Sequence, residues 1–117
     1  MNTIAIKNGE VEIRSAATTG VWLTQNEIAA LFGVFTSAVR ANIRTILQNG
    51  ILREDKVFRR FKTDRGYIER YNLEMIVTLA FRLHSENAET FRRWIIQRAT
   101  TPVVLWRLPD AGNALAN

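Results

Sequence analysis

The sequence predicts an α+β fold on three observations. An Asn8-Gly9 step sits between alternating apolar and polar residues, a capped helix–glycine–helix stretch runs from Thr24 to Gln48, and a β-prone basic pair of runs precedes two apolar helices. With 117 residues, 47% of them hydrophobic, the chain fits one domain with a real core.

In chain order, Ile4 and Ile6 before Asn8-Gly9, and Val11 and Ile13 after it, predict strands Thr3–Lys7 and Glu10–Arg14. Asn-Gly tolerates positive φ at both central positions, so a two-residue hairpin joins them. "SAATTG" is a small-residue connector, and "VWL", Val21–Leu23, reads as a short third strand or extended entry. Thr24 followed three residues later by Glu27 forms a capping box for a helix to about Phe32, with Ile28 and Leu31 inward. Gly33 suits the left-handed conformation of a tight turn. A second helix starts near Thr36 and stops at Asn49-Gly50, with Val39, Ile43, Ile46 and Leu47 as its buried stripe. After a short helical segment at Arg53–Lys56, the runs Val57–Lys62 and Tyr67–Tyr71 predict strands around a four-residue loop, Thr63-Asp64-Arg65-Gly66. Asn72 caps the apolar helix "LEMIVTLAFRLH", and Ser85 caps "ENAETFRRWIIQRA", where Phe91, Trp94, Ile95 and Arg98 share a face. Residues 1–99 are thus expected to form the domain and 100–117 a C-terminal tail.

Counting from Gln25, the stretch places Ala29 at the fifth position, Gly33 at the ninth and Val39 at the fifteenth. Those are the small crossing residue, the turn glycine and the apolar lock that a helix-turn-helix needs. With the hairpin that follows, the expected architecture is a winged helix-turn-helix with an N-terminal β-hairpin and two additional C-terminal helices.

Charge is unevenly spread. The net charge is +5 and the pI about 10.4. Residues 1–39 balance to −1, residues 40–70 carry nine basic against four acidic side chains, and the remainder balances to +1. A polyanion is the first partner to consider. No cysteine is present, which excludes disulfides, thiolate metal sites and thiol catalysis, and a reducing cytoplasm is the expected location. The opening "MNTIAIKNGE" lacks the basic flank and apolar run of a signal peptide. Met75–Phe81, the longest strongly apolar run in the helical part, falls far short of the ~18 residues of a spanning helix.

At about 100° per residue, the face opposite the buried stripe holds Ser37, Ala41, Arg44, Thr45 and Gln48, with Arg40 at one edge. Arg40 and Arg44 suit guanine edges, Gln48 suits adenine, Ala41 a thymine methyl, and Thr36 and Ser37 a helix cap or a phosphate. Arg59, Arg60, Lys62 and Arg65 are the candidate phosphate contacts of the wing. Phe35 is expected to pack in the turn, against the wing or the first helix. Trp22, Trp94 and Trp106 are expected in core or dimer contacts, and Tyr67 and Phe61 in the core rather than stacked on a base. His84, the sole histidine, has no partner pattern, and no carboxylate pair, phosphate loop or activated nucleophile is evident, so no catalytic residue, metal or cofactor is expected.

The blocks "VWLTQNEIAALFGV" (21–34), "SAVRANIRTILQNGIL" (37–52), "YNLEMI" (71–76), "AFRLHS" (80–85) and "FRRW" (91–94) resemble, in order, the N-terminal DNA-binding part of the virulence RhuM family of mobile elements and pathogenicity islands. Phe35 and Thr36 stand where that family commonly has an aspartate and an arginine, which leaves Arg40, Arg44 and the wing to supply most of the grip. The resemblance implies a double-stranded DNA-binding protein, a small transcriptional regulator tied to a mobile element or virulence locus. A homodimer is expected, with the helix of Phe91 and Trp94 as its seam. The alternative is a non-catalytic protein-interaction adaptor on the same fold.

Overall fold

Asn8 and Gly9 both take positive φ, 53° and 77°. They join β1 (Thr3–Lys7) to β2 (Glu10–Arg14) as a two-residue antiparallel hairpin with Lys7 opposite Glu10. The structure is a computed structural model and describes residues 3–14 and 20–100. The tail over 101–117, with Trp106, and most of the "SAATTG" connector lie outside the described residues. The order continues β3 (Trp22–Leu23), α1 (Gln25–Phe32), α2 (Thr36–Gln48), α3 (Glu54–Val57), β4 (Phe58–Thr63), β5 (Gly66–Asn72), α4 (Leu73–Ala80) and α5 (Glu86–Thr100). The class is α+β. β1 and β2 form one sheet, and β3, β5 and β4 form a second in that spatial order.

The capping box opens α1 as expected. Thr24 Oγ1 accepts from the Glu27 N–H at 3.1 Å, and the Thr24 N–H donates to Glu27 Oε1 at 2.8 Å. Thr24→Ala is expected to cost about 1 kcal/mol, lowering Tm in a calorimetric scan by roughly 4–8 °C; an unchanged Tm would show the cap contributes nothing. Gly33 ends the helix at φ 66°. The cap donates to Ala29 O, and Val34 N–H donates to the same carbonyl at 3.0 Å.

The core lies where α1, α2, α4 and α5 meet. Ile28, Phe32, Val39, Ile46, Val57, Met75, Ile76, Leu79 and Phe91 are fully buried. Phe32 meets Phe91 edge-on at 5.6 Å. Of the expected α2 stripe, Val39, Ile43 and Ile46 are buried and Leu47 packs partly against them.

Three expectations need correction. The loop between β4 and β5 is not four residues but two, because Thr63 and Gly66 pair in the sheet. Asp64 and Arg65 keep negative φ, and Gly66 at φ 129° supplies the positive φ that a tight hairpin needs. The helix begun at Leu73 does not continue to His84. It stops at Ala80, since Arg92 Nη1 of α5 donates to the carbonyls of Ala80 (2.7 Å) and Leu83 (3.0 Å), satisfying acceptors near the helix end. His84 is an exposed residue of the α4–α5 link. Finally, Phe91 is not on an exposed face of α5: it is in the core, and Ile96, 51% exposed, is the exposed large hydrophobic residue of that helix.

Burial pushes the Tyr71 phenol above its usual pKa, outweighing the Gln25 side-chain hydrogen bond (3.4 Å), which acts the other way. The neutral hydroxyl thus accepts from Gln25 and holds the α1 N-terminus on the second sheet.

Candidate nucleic-acid interface

All ten residues singled out from the sequence as candidate contacts are described, and α2 and the β4–β5 hairpin carry them. On α2, Val39, Ile43 and Ile46 face the core. Helical geometry then turns Ser37, Ala41, Arg44 and Gln48 outward, all exposed, with Thr36 and Arg40 on one flank and Ala38 and Asn42 on the other. Thr45 spends its hydroxyl on Ala41 O at 3.1 Å. Thr36 is not a helix cap. Its hydroxyl donates to Asn26 Oδ1 at 3.1 Å, which ties the start of α2 to the start of α1, while the N-cap position falls to Phe35, which makes no side-chain cap bond.

The hairpin divides the four basic residues assigned to it. Cross-strand partners share a face, and successive residues alternate. The register pairs Arg60 with Glu69 and Lys62 with Tyr67 on one face, and Arg59 with Arg70 and Phe61 with Ile68 on the other. Arg59 therefore cannot act beside Arg60 and Lys62. Its guanidinium lies 4.8 Å from the Trp22 ring, and Trp22 meets Phe61 edge-on at 5.7 Å. Arg60 is held by Glu69 at 3.3 Å, an exposed pair of small energetic weight. Lys62, and Arg65 in the turn, make no ion pair among the described residues, and neither do Arg40 and Arg44.

The two elements meet across a groove. A concavity of about 510 Å³ lies between the first turn of α1, the flank of α2 and β5, lined by Gln25, Asn26, Thr36, Arg40, Tyr67 and Glu69 among others. Arg40 on one wall faces the β5 stretch that carries Tyr67, and Tyr67 sits opposite Lys62. The cations of α2 and those of the hairpin thus flank one groove, with Tyr67 and Glu69 between them.

Three aromatic expectations are overturned here. Tyr67 is 66% exposed, not in the core. The two-residue turn places it one pair from the hairpin tip, while the packed end of the same face is at Phe58 and Tyr71, whose rings are 5.3 Å apart. Phe35 is 83% exposed and packs on neither the hairpin nor α1. At the extended N-cap position (φ −72°, ψ 145°) it borders a second concavity, of about 550 Å³, on the other flank of α2, beside Val34, Ala38 and Leu83. Trp94 packs against Phe91 at 5.5 Å as expected, whereas Phe61, expected in the core, meets Trp22 outside it, on the sheet face that carries Arg59 and Arg70.

The sequence reading missed Gln25, Asn26 and Glu69. Their signal was available only in part: alternation along β5 groups Glu69 with Tyr67 and Tyr71, but only the register and the docking of the hairpin beside α1 bring them to Arg40.

Among the described residues no group of three metal-ligating side chains gathers, and no helix is long and apolar enough to cross a membrane. Comparison with family models, with curated proteins and with solved structures finds no match to this chain.

Proposed function

We propose that the protein is a non-catalytic, double-stranded DNA-binding regulator of winged helix-turn-helix type, acting in the cytoplasm. In this reading α2 enters the major groove with Ser37, Arg40, Ala41, Arg44 and Gln48 toward base edges and Thr36 near the backbone. The β4–β5 hairpin is the wing, with Lys62, Arg65 and Arg60 on phosphates. The observation that carries it is that Arg40 and Arg44 on α2 and Lys62 and Arg65 on the hairpin are all exposed, none of them neutralised by a carboxylate among the described residues. Cations left unpaired on a convex helix and an adjoining hairpin suit a polyanion with a regular groove. The resemblance of the sequence blocks between Val21 and Trp94 to the virulence RhuM family points to the same role and to a mobile-element or virulence locus as its setting.

The test is salt. A binder touching about five phosphates loses affinity with a log–log slope near −4 to −5, and Lys62→Ala with Arg65→Ala should flatten that slope by about two. The same titration gives stoichiometry, where two chains per site support the homodimer. If micromolar protein leaves duplex DNA unbound at low salt, the proposal is lost.

A second reading, a protein-interaction adaptor, draws on Phe35. An aromatic ring so exposed, beside a concavity lined by Val34, Ala38 and Leu83, suits an apolar side chain of a protein partner. Failure to bind duplex DNA, with the fold intact, would favour it.

A further inference from the structure

The duplex-binding residues Thr36 and Arg40 form only one wall of the groove between α1, α2 and β5, and the residues left unassigned there, Gln25, Asn26, Tyr67 and Glu69, have a different chemistry. The Gln25 Nε2 is committed to Tyr71 Oη, which leaves the Gln25 Oε1 free to accept. Asn26 Oδ1 takes the Thr36 hydroxyl, which leaves the Asn26 Nδ2 free to donate. One Glu69 oxygen takes Arg60, and the carboxylate keeps further acceptor capacity. Arg40 adds donors, and the exposed Tyr67 adds a ring face at the rim.

These groups discriminate among occupants. A phosphate is all acceptor: it would meet Arg40 and the Asn26 amide favourably but would face the Glu69 carboxylate and the Gln25 carbonyl without a proton to offer. An apolar side chain would leave four polar groups desolvated and unpaired. A nucleobase offers donors and acceptors along its edge and a flat face for an aromatic ring. At about 510 Å³ the concavity is in the range of small-ligand sites, about 300–1,000 Å³.

On this basis, and resting on the DNA-binding reading above, we infer that the groove receives one unpaired base of the bound DNA, stacked on Tyr67 and read by Gln25, Asn26 and Glu69. Extruding a base costs least where it is already mismatched or unpaired. The preferred ligand is therefore a duplex carrying a single unpaired nucleotide, with the helical part held by α2 and the hairpin and the displaced base lodged between them.

The experiment compares two duplexes of the same sequence, one with a single extra adenine, titrated with the full chain by fluorescence anisotropy. The bulged duplex is expected to bind about tenfold tighter, the gain of one stacked base. With 2-aminopurine as the extra base, binding should quench its emission. Tyr67→Ala should abolish both effects and leave matched-duplex affinity unchanged, since the ring is exposed and supports no core contact; Tyr67→Phe should retain both. Equal affinity for the two duplexes overturns the inference and leaves duplex binding intact. A preference that survives Tyr67→Ala also overturns it, because the easier bending of bulged DNA would then account for the gain. Binding to neither duplex overturns this inference and the function on which it rests.

Discussion

Truncating Phe91 to alanine is expected to lower the free energy of unfolding by about 3–5 kcal/mol. The ring is fully buried. It stands edge-on to Phe32 of α1 at 5.6 Å and tilted against Trp94 at 5.5 Å, so its removal leaves a void that two helices would have to move to close. Aromatic pairs of this kind add about 0.5–1.5 kcal/mol beyond area burial. Small domains have only about 5–15 kcal/mol of stability in total, so the variant should be marginal at room temperature. Urea unfolding measures it, and a loss below about 1 kcal/mol would mean that α5 is not seated on α1 as described. Phe35→Ala provides the contrast: the ring is 83% exposed, and its removal should leave stability within about 0.5 kcal/mol of the parent.

The second large effect falls on binding and spares the fold. Arg40 and Arg44 are exposed and make no ion pair or side-chain hydrogen bond among the described residues. Replacing both with alanine should leave Tm within a degree or two, because alanine is at least as good a helix former and no packed contact is lost. Each good bidentate base contact contributes about 1–3 kcal/mol. The double variant should therefore bind its preferred duplex at least about thirtyfold more weakly, with specificity relaxed at the positions the two arginines read. Gel-shift titration against a site selected from a random pool measures this. An affinity unchanged by the double substitution would remove α2 from the interface and leave the hairpin alone as the contact.

Local chemistry made much of this architecture legible in advance. Asn8-Gly9 could serve only as a positive-φ turn, and β1 and β2 have the expected bounds. Thr24, Glu27 and Gly33 delimit α1 through contacts within three or four residues. What resisted reading depends on partners distant in sequence. "TDRG" is compatible with a longer loop until Gly66 is seen to join the sheet, and that one choice decides that Tyr67 faces the groove near the tip. The apolar run after Leu73 gives no sign of a stop at Ala80, because a side chain twelve residues further on supplies it. Arg59 and Arg60 look equivalent as neighbours in a basic run, yet the period of two sends one to Trp22 and the other to Glu69. Phe35 looked like a packing residue because a turn beside two helices usually has a cover. Here the hairpin leans over the opposite flank of α2, toward Thr36 and Arg40.

The Arg92 guanidinium, shared between the carbonyls of Ala80 and Leu83, also bears on how the molecule opens. Those acceptors belong to the end of α4 and to its link, whereas the donor belongs to the second turn of α5. Loosening α5 therefore removes the donor to the Ala80 and Leu83 carbonyls at the same moment, and fraying of the link removes both acceptors of that guanidinium group. The two C-terminal helices thus behave as one cooperative unit against local unfolding. Asn87 of that unit donates to Leu31 O at 2.9 Å, so its opening would reach α1 and the turn that sets the angle of α2.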